Sequence, residues 1–328
     1  MDYRSAGVDL AGADAHVDRI RPLVTATWGS EVVGGFGDFS AGVRIPPGYR
    51  NPVLMMSTDG VGTKLEVARR ARRWEGVGFD LVAMSVDDLV VSGARPLAFV
   101  DYMAVGALDP DRDASIVGSI AEACRVAGCA LVGGETAEHP GTMAEDGIDL
   151  AGAALGVVEG EKVLGSQRTS AGDRIIGLRS PNLRSNGFSL VRQVFADVGL
   201  ETPFPEEEAT VAEVLLRPSI IYAPAVLEAI AVGGVHAAAH ITGGGLVANL
   251  ARSVPDGMEA VIDHWSWEWP NVFTQIQRRG GVSVEEMRRT FNLGIGFCLI
   301  VDPAAVDEVS ASVATHDPAV IGEIRPKQ

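Results

Sequence analysis

An apolar run from Pro52 to Met56 leads into Asp59-Gly60-Val61-Gly62-Thr63-Lys64, and the chain then passes straight into a helix-like pattern. A strand that turns into a helix within so few residues constrains the fold to a mixed α/β type. Gly60 and Gly62 leave backbone N–H groups uncovered, Thr63 opens the helix and Lys64 lies in its first turn, so the parts of an anion cradle are present. The spacing is not that of the usual P-loop, which requires G-x-x-x-x-G-K-[ST]. Residues alone leave two readings, a phosphate site or an ordinary tight turn. Asp59 bears on the choice, because a carboxylate beside a phosphate is repelled unless a divalent cation lies between them.

The alternation continues along the chain. Ala13 to Thr27 has helical spacing and is followed by a glycine-rich loop, Gly34 to Gly42, which includes Gly35 and Gly37. Thr63 to Arg73 and Asp80 to Val91 read as helices, Arg95 to Val105 as a strand, Asp111 to Ala127 as a helix and Leu150 to Val158 as a strand. Cys129 to Val132 reads as a short strand running into a Gly133-Gly134-Glu135 loop. The polar stretch Glu159 to Gly172 lacks a period and divides the chain into 1–165 and 166–328. Beyond it, Arg174 to Leu178 and Leu293 to Val301 are strand-like, Phe188 to Phe195 is helical, and His240-Ile241-Thr242 leads into Gly243-Gly244-Gly245. Trp265, Trp267 and Trp269 alternate as on one face of a strand, a pattern suited to packing.

Composition narrows the class of function. The 328 residues carry 43 acidic against 27 basic side chains, a formal charge of −16, so no long-range field draws nucleic acid or anionic lipid. No run approaches the ~20 apolar residues of a membrane span. Three cysteines, Cys124, Cys129 and Cys298, suit neither a disulfide framework nor a zinc cluster, and a reducing, cytoplasmic setting is the simpler expectation.

Several side chains are candidates for chemistry. The helical step puts Asp80 and Asp87 on one face with Asp88 about 80° around, either a solvated acidic face or, with Asp59, carboxylates for Mg²⁺ completed by nucleotide phosphates. Glu135, Glu138 and His139 beside Gly133 and Gly134 could bind metal, relay protons or hold ribose hydroxyls. Arg184, before Ser185-Asn186-Gly187, has the planar fork that suits phosphate, against the alternative of a solvated loop arginine. His240 is open between a base and a structural residue.

These stretches together resemble the phosphoribosylformylglycinamidine cyclo-ligase (aminoimidazole ribonucleotide synthetase) family over essentially the whole chain. The matching segments are Tyr3 to Asp9, Gly34 to Gly42, Thr58 to Lys64, Asp80 to Pro96, Ala127 to Glu138, Ser185 to Arg192, Ala239 to Leu246 and Phe291 to Gly296. The resemblance implies a two-domain α/β fold whose N-terminal domain pairs in a homodimer through a barrel-like sheet. It also implies ATP-dependent ring closure of formylglycinamidine ribonucleotide to aminoimidazole ribonucleotide. By residue-wise carry-over, Asp59 and Asp88, with Asp87 beside them, are the Mg²⁺ ligands. Gly35, Gly37, Gly60, Gly62, Thr63, Lys64, Gly133, Gly134, Arg184, Gly243 and Gly244 bind ATP or phosphate, and Lys64, Glu135, Asn186 and His240 lie near the reacting groups.

The chain departs from the family pattern in two linked places. Arg184 stands where histidine is common before Ser-Asn-Gly, and arginine exchanges no proton at neutral pH. Pro218-Ser219-Ile220-Ile221-Tyr222 lacks the cation of the family's Pro-Thr-Arg-Ile-Tyr. The expectation is that Arg184 supplies the phosphate-binding charge missing at Ile220. Competing functions are another ATP-dependent enzyme of the superfamily, such as a thiamine-monophosphate kinase or a selenophosphate synthetase, or a nucleotide-binding homologue without catalysis.

Overall fold

Alternate residues of 52–60 take opposite faces of a strand in the computed structural model, which describes residues 10–263 and 265–327. Val53, Met55 and Ser57 turn toward the helices, while Leu54, Met56 and Thr58 stay exposed. The family-like segment Tyr3 to Asp9 lies outside the described residues.

The first half runs α1 (Leu10–Thr25), β1 (Val32–Val33), β2 (Gly42–Val43), β3 (Pro52–Gly60), α2 (Lys64–Ala71), α3 (Val77–Val90), β4 (Arg95–Val105), α4 (Pro110–Ala127), β5 (Ala130–Glu138) and β6 (Ile148–Glu159). β3, β6, β4 and β5 form a four-stranded sheet in that order. β4 and β5 are parallel and joined by α4, whereas β6 is antiparallel to both of its neighbours. Local chemistry fixes α4 well. The Asp109 carboxylate accepts from the N–H groups of Asp111 and Arg112, Pro110 occupies the first turn, and Gly128 closes the helix in the left-handed region at φ 73°. The short β1–β2 pair brackets the glycine-rich loop.

The second half runs β7 (Arg174–Arg179), α5 (Phe188–Val194), α6 (Val211–Leu215), α7 (Ala223–Val232), β8 (Val235–His240), α8 (Gly245–Ala251), β9 (Met258–Ile262), α9 (Asn271–Gly280), α10 (Val284–Thr290), β10 (Ile295–Val301), α11 (Val306–Ser312) and β11 (Ala319–Pro326). Its five-stranded antiparallel sheet has the order β8-β10-β7-β11-β9. Every residue of β10 is buried, which is why Ile295 to Val301 reads as an unbroken apolar run.

One hydrophobic cluster spans both halves. Leu81 and Val86 of α3, Met103 of β4 and Ile120 of α4 join Tyr222, Val226 and Phe297 of the second half. α3 is therefore covered by the first sheet on one side and by α7 on the other.

Two expectations fail here. Gly133-Gly134-Glu135 is not a loop but the middle of β5, where parallel pairing of Asp101 with Gly134 and Tyr102 with Glu135 keeps the glycines extended. Trp265, Trp267 and Trp269 do not lie on a strand; they occupy the connection between β9 and α9, with Trp265 at φ 51°. Packing explains the tryptophans better than pleating does. The rings of Trp265 and Trp267 are 5.4 Å apart, and Trp267 Nε1 donates to the Leu293 carbonyl at 2.9 Å.

Candidate functional site at the junction of the two halves

The turn after β3 is tight because of what surrounds it. A β-carbon on Gly60 would lie 3.0 Å from the Leu150 carbonyl oxygen, and Gly62 has φ 68°. Asp59 accepts from the Gly60 N–H at 2.7 Å. Burial pushes its carboxyl up from the usual range, the Gly60 bond opposes that shift, and the Asp88 carboxylate adds to it. A buried carboxylate beside a second carboxylate is an arrangement that a divalent cation relieves.

The second half meets this turn through its own loops. Ser185 Oγ donates to the Val61 carbonyl at 2.8 Å, and the Thr63 and Ser189 hydroxyls lie 3.5 Å apart. Asn186 Oδ1 accepts from the Gly243 N–H at 3.1 Å, and its amide nitrogen lies 3.6 Å from Met84 Sδ. Gly244, at φ 99°, leads into α8. His240, at the end of β8, places Nδ1 2.8 Å from Asp88 Oδ1, while its buried Nε2 has no partner. The structure thus gathers Asp59, Gly60, Gly62, Thr63, Asp88, Asn186, His240, Gly243 and Gly244 where the halves join. A carboxylate holds one histidine nitrogen, which fixes the ring and the tautomer and leaves the other nitrogen for a proton.

Lys64, Arg184 and Asp87 require correction. Lys64 is 1% exposed, and Nζ donates to Asp80 at 2.8 Å and to the carbonyls of Arg184 and Arg217 at 3.1 and 2.9 Å. Its donors are used inside the protein, so it does not present them to a phosphate. Arg184 is fully buried: Nη2 donates to Asp87 at 2.6 Å and to the Ile220 carbonyl at 3.0 Å, Nη1 donates to the Gly296 carbonyl at 3.1 Å, and the guanidinium stacks on Tyr222. Arg184 does meet Ile220, but at its backbone, and as a core contact rather than a free phosphate cation. Asp87 is likewise consumed, with its second oxygen accepting from the N–H groups of Tyr222 and Ala223. Both oxygens are turned into the core, away from the place a metal ligand would need. The acidic face of α3 is therefore not solvated at Asp80 and Asp87, because the second half covers it; Asp88 alone of the three is exposed.

The remaining candidates lie elsewhere. Gly35, Gly37, Gly133, Gly134 and Glu135 line a cavity of about 460 Å³ between α1, the glycine-rich loop and the β4–β5 edge. Glu135 does not join Asn186 and His240 at the junction. Two unanticipated residues share this cavity, His16 of α1 and Asp101 of β4. Burial pushes the Asp101 carboxyl up to about 7. A β-carbon on Gly134 would come 2.2 Å from Asp101 Oδ1 and push that carboxyl out of its position. Asp101 was findable: it is an acid on the same face of β4 as the fully buried Phe99 and Met103. Among the described residues, no three His, Cys, Asp or Glu side chains converge as a metal-binding group. Asp59 and Asp88 fit instead a Mg²⁺ that completes its shell with water and phosphate.

Known proteins resemble this chain over most of its length. Residues 37–158 match the AIR synthase related protein N-terminal domain, and residues 170–328 match the AIR synthase related protein C-terminal domain. The chain is similar to a phosphoribosylformylglycinamidine cyclo-ligase of Bordetella petrii, with 45% identity over 328 residues that cover 99% of this chain and 94% of that one. Among solved structures it shares its fold with thiamine-monophosphate kinase from Stenotrophomonas maltophilia K279a, at TM-score 0.68 and 22% identity, covering 96% of this chain and 94% of that one. The hydrogenase maturation protein HypE in complex with ATP also shares the fold, at TM-score 0.58 and 17% identity, covering 95% and 83%. Identity at this level over nearly the whole length settles membership: the chain belongs to the phosphoribosylformylglycinamidine cyclo-ligase family.

Proposed function

We propose that the chain closes the imidazole ring of aminoimidazole ribonucleotide, from formylglycinamidine ribonucleotide and ATP. The observation that carries this reading is the junction itself, where the Asp59–Thr63 turn, the Asp88–His240 pair and the Asn186–Gly243 contact converge. The formyl oxygen, a poor leaving group, attacks the terminal phosphorus of ATP and ADP departs. An amidine nitrogen of the same molecule then attacks the activated carbon, the carbon–oxygen bond breaks and phosphate leaves. Both reacting groups belong to one substrate, so orientation lowers much of the barrier.

The chain's own residues supply positioning and proton transfer. N–H groups of Gly62, Thr63 and Gly244 hold phosphate oxygens, while those of Gly60 and Gly243 hold Asp59 and Asn186 in place. Asn186 orients the formamide, and His240 Nε2, with Nδ1 held by Asp88, accepts the proton that the attacking nitrogen loses. Asp59 and Asp88 would hold Mg²⁺, which when bound neutralises phosphate charge. The cavity lined by Gly35, Gly37, Gly133 and Gly134 takes the nucleoside of ATP, with Glu135 at its edge for ribose hydroxyls.

We assign residues 1–165 to an ATP-binding, dimer-forming domain and 166–328 to a C-terminal domain; the two matched family regions flank this boundary in support. A homodimer is supported by an exposed apolar sheet face that includes Leu54, Met56, Val100 and Tyr102. Val100 borders the cavity and Met56 borders the cleft at His240, so a second copy seated on this face would meet both. The cytoplasm suits three free, buried cysteines. Among the described residues no helix is long and apolar enough to cross a membrane.

The test is a steady-state assay with Mg-ATP and formylglycinamidine ribonucleotide that follows phosphate and the diazotisable aminoimidazole together. Equal appearance of both supports the cyclo-ligase. Phosphate without the amine, or neither product, rejects it.

A further inference from the structure

The glycine-rich loop ends in a side chain that the fold does not use. Phe39 is fully exposed, although a phenylalanine is ordinarily a core residue. It nonetheless lines the cavity of about 460 Å³. The loop is anchored just before this residue: Arg21 lies over the Phe36 ring at 4.6 Å, and the Asp38 carboxylate accepts from the Gly35 N–H at 2.7 Å. Between these anchors Gly37 has φ 93°, and no atom lies within 4 Å of where its β-carbon would be.

The opposite wall carries an independent sign of a ligand. His16 is 3% exposed and lines the same cavity, yet neither ring nitrogen has a hydrogen-bond partner. The nearby Asp113 carboxylate does not serve it, since Arg112 Nε and the Asp109 N–H occupy its two oxygens. An apolar occupant would leave the imidazole unsatisfied. A phosphate would find no cation among the side chains lining this cavity. An aromatic heterocycle with nitrogen on its edge meets both conditions, a flat face for Phe39 and polar atoms for His16.

We propose that Phe39 is a base-binding residue, and that it stacks on the purine of the nucleotide with His16 on the far wall. The inference rests on the reading that this cavity takes the nucleoside of ATP. A phenyl ring left in water gains most when a planar base covers it.

Equilibrium binding by the full-length protein tests this with three probes: Mg-ATP, adenosine and base-free Mg-tripolyphosphate. Phe39→Ala should raise the Kd of ATP and of adenosine by about tenfold and leave that of tripolyphosphate unchanged, while Phe39→Trp keeps wild-type affinity. Because Phe39 is already in water, the alanine variant should melt at the wild-type temperature. Unchanged ATP affinity in Phe39→Ala, or equal loss for all three probes, overturns the proposal. A changed oligomeric state with unchanged ATP affinity also overturns it and assigns Phe39 to a subunit contact. Failure of the wild-type protein to bind ATP or adenosine overturns the nucleoside reading itself, and the proposal with it.

Discussion

Lys64 and Asp80 hold each other inside the protein, each 1% exposed, and Lys64→Met would leave a buried carboxylate without its cation. The expected loss is about 3–5 kcal/mol in urea denaturation. Arg278→Met, which breaks a pair whose partners are each 66% exposed, should leave the midpoint unchanged. If both variants unfold alike, burial is not what gives the Lys64 pair its weight. Asp101 gives a pH-dependent prediction. Burial pushes its folded-state carboxyl up to about 7 from the ordinary 3.8, so the folded chain keeps a proton that the unfolded chain releases. That contribution is fully present below the unfolded value and is lost as pH rises to about 7. Asp101→Asn should therefore melt with the wild type near the lower limit, gain on it steadily through the window, and keep a constant advantage above it. Melting curves from pH 4 to 8.5 (roughly the window set by that linkage) decide this, and parallel curves would show that Asp101 ionises normally.

At the scale of elements, close approach decides where the helices lie. A β-carbon on Gly78 of α3 would come 2.1 Å from the backbone nitrogen of Ile120 in α4. Elsewhere Gly→Ala favours a helix, but here the two helices must separate, and overpacking costs about 1–3 kcal/mol. Gly78→Ala should lower the melting temperature, and a rise would mean that α3 and α4 can slide apart freely. Elements with local punctuation were legible in the sequence. α4, with Asp109, Pro110 and Gly128 at its ends, and β4, from Arg95 to Val105, lie where their residues place them. β5 was not, because its glycines suggest a turn and only the β4 backbone beside them keeps them extended. The tryptophans alternate in sequence without alternating in space, since Trp265 takes a left-handed backbone.

For the whole molecule, the exposed sheet face makes the proposed dimer testable. Met56, 76% exposed, lies on it, so Met56→Glu should not disturb the monomer fold. A charge there should shift sedimentation from dimer to monomer at micromolar concentration, and an unchanged dimer would place the interface elsewhere. The sequence by itself determined the family and the mixed architecture, because these depend on residues adjacent in the chain. It also determined that Asp80 and Asp87 share a helical face, since helical phase is a local property. Only the tertiary structure decided what that face meets. Arg184 reaches Asp87 across 97 positions and Lys64 reaches Asp80 across 16, and both cations leave the candidate site as a result. A charge is ligand-binding or structural according to whether a partner removes it from water, and that partner is fixed by how the folded chain packs.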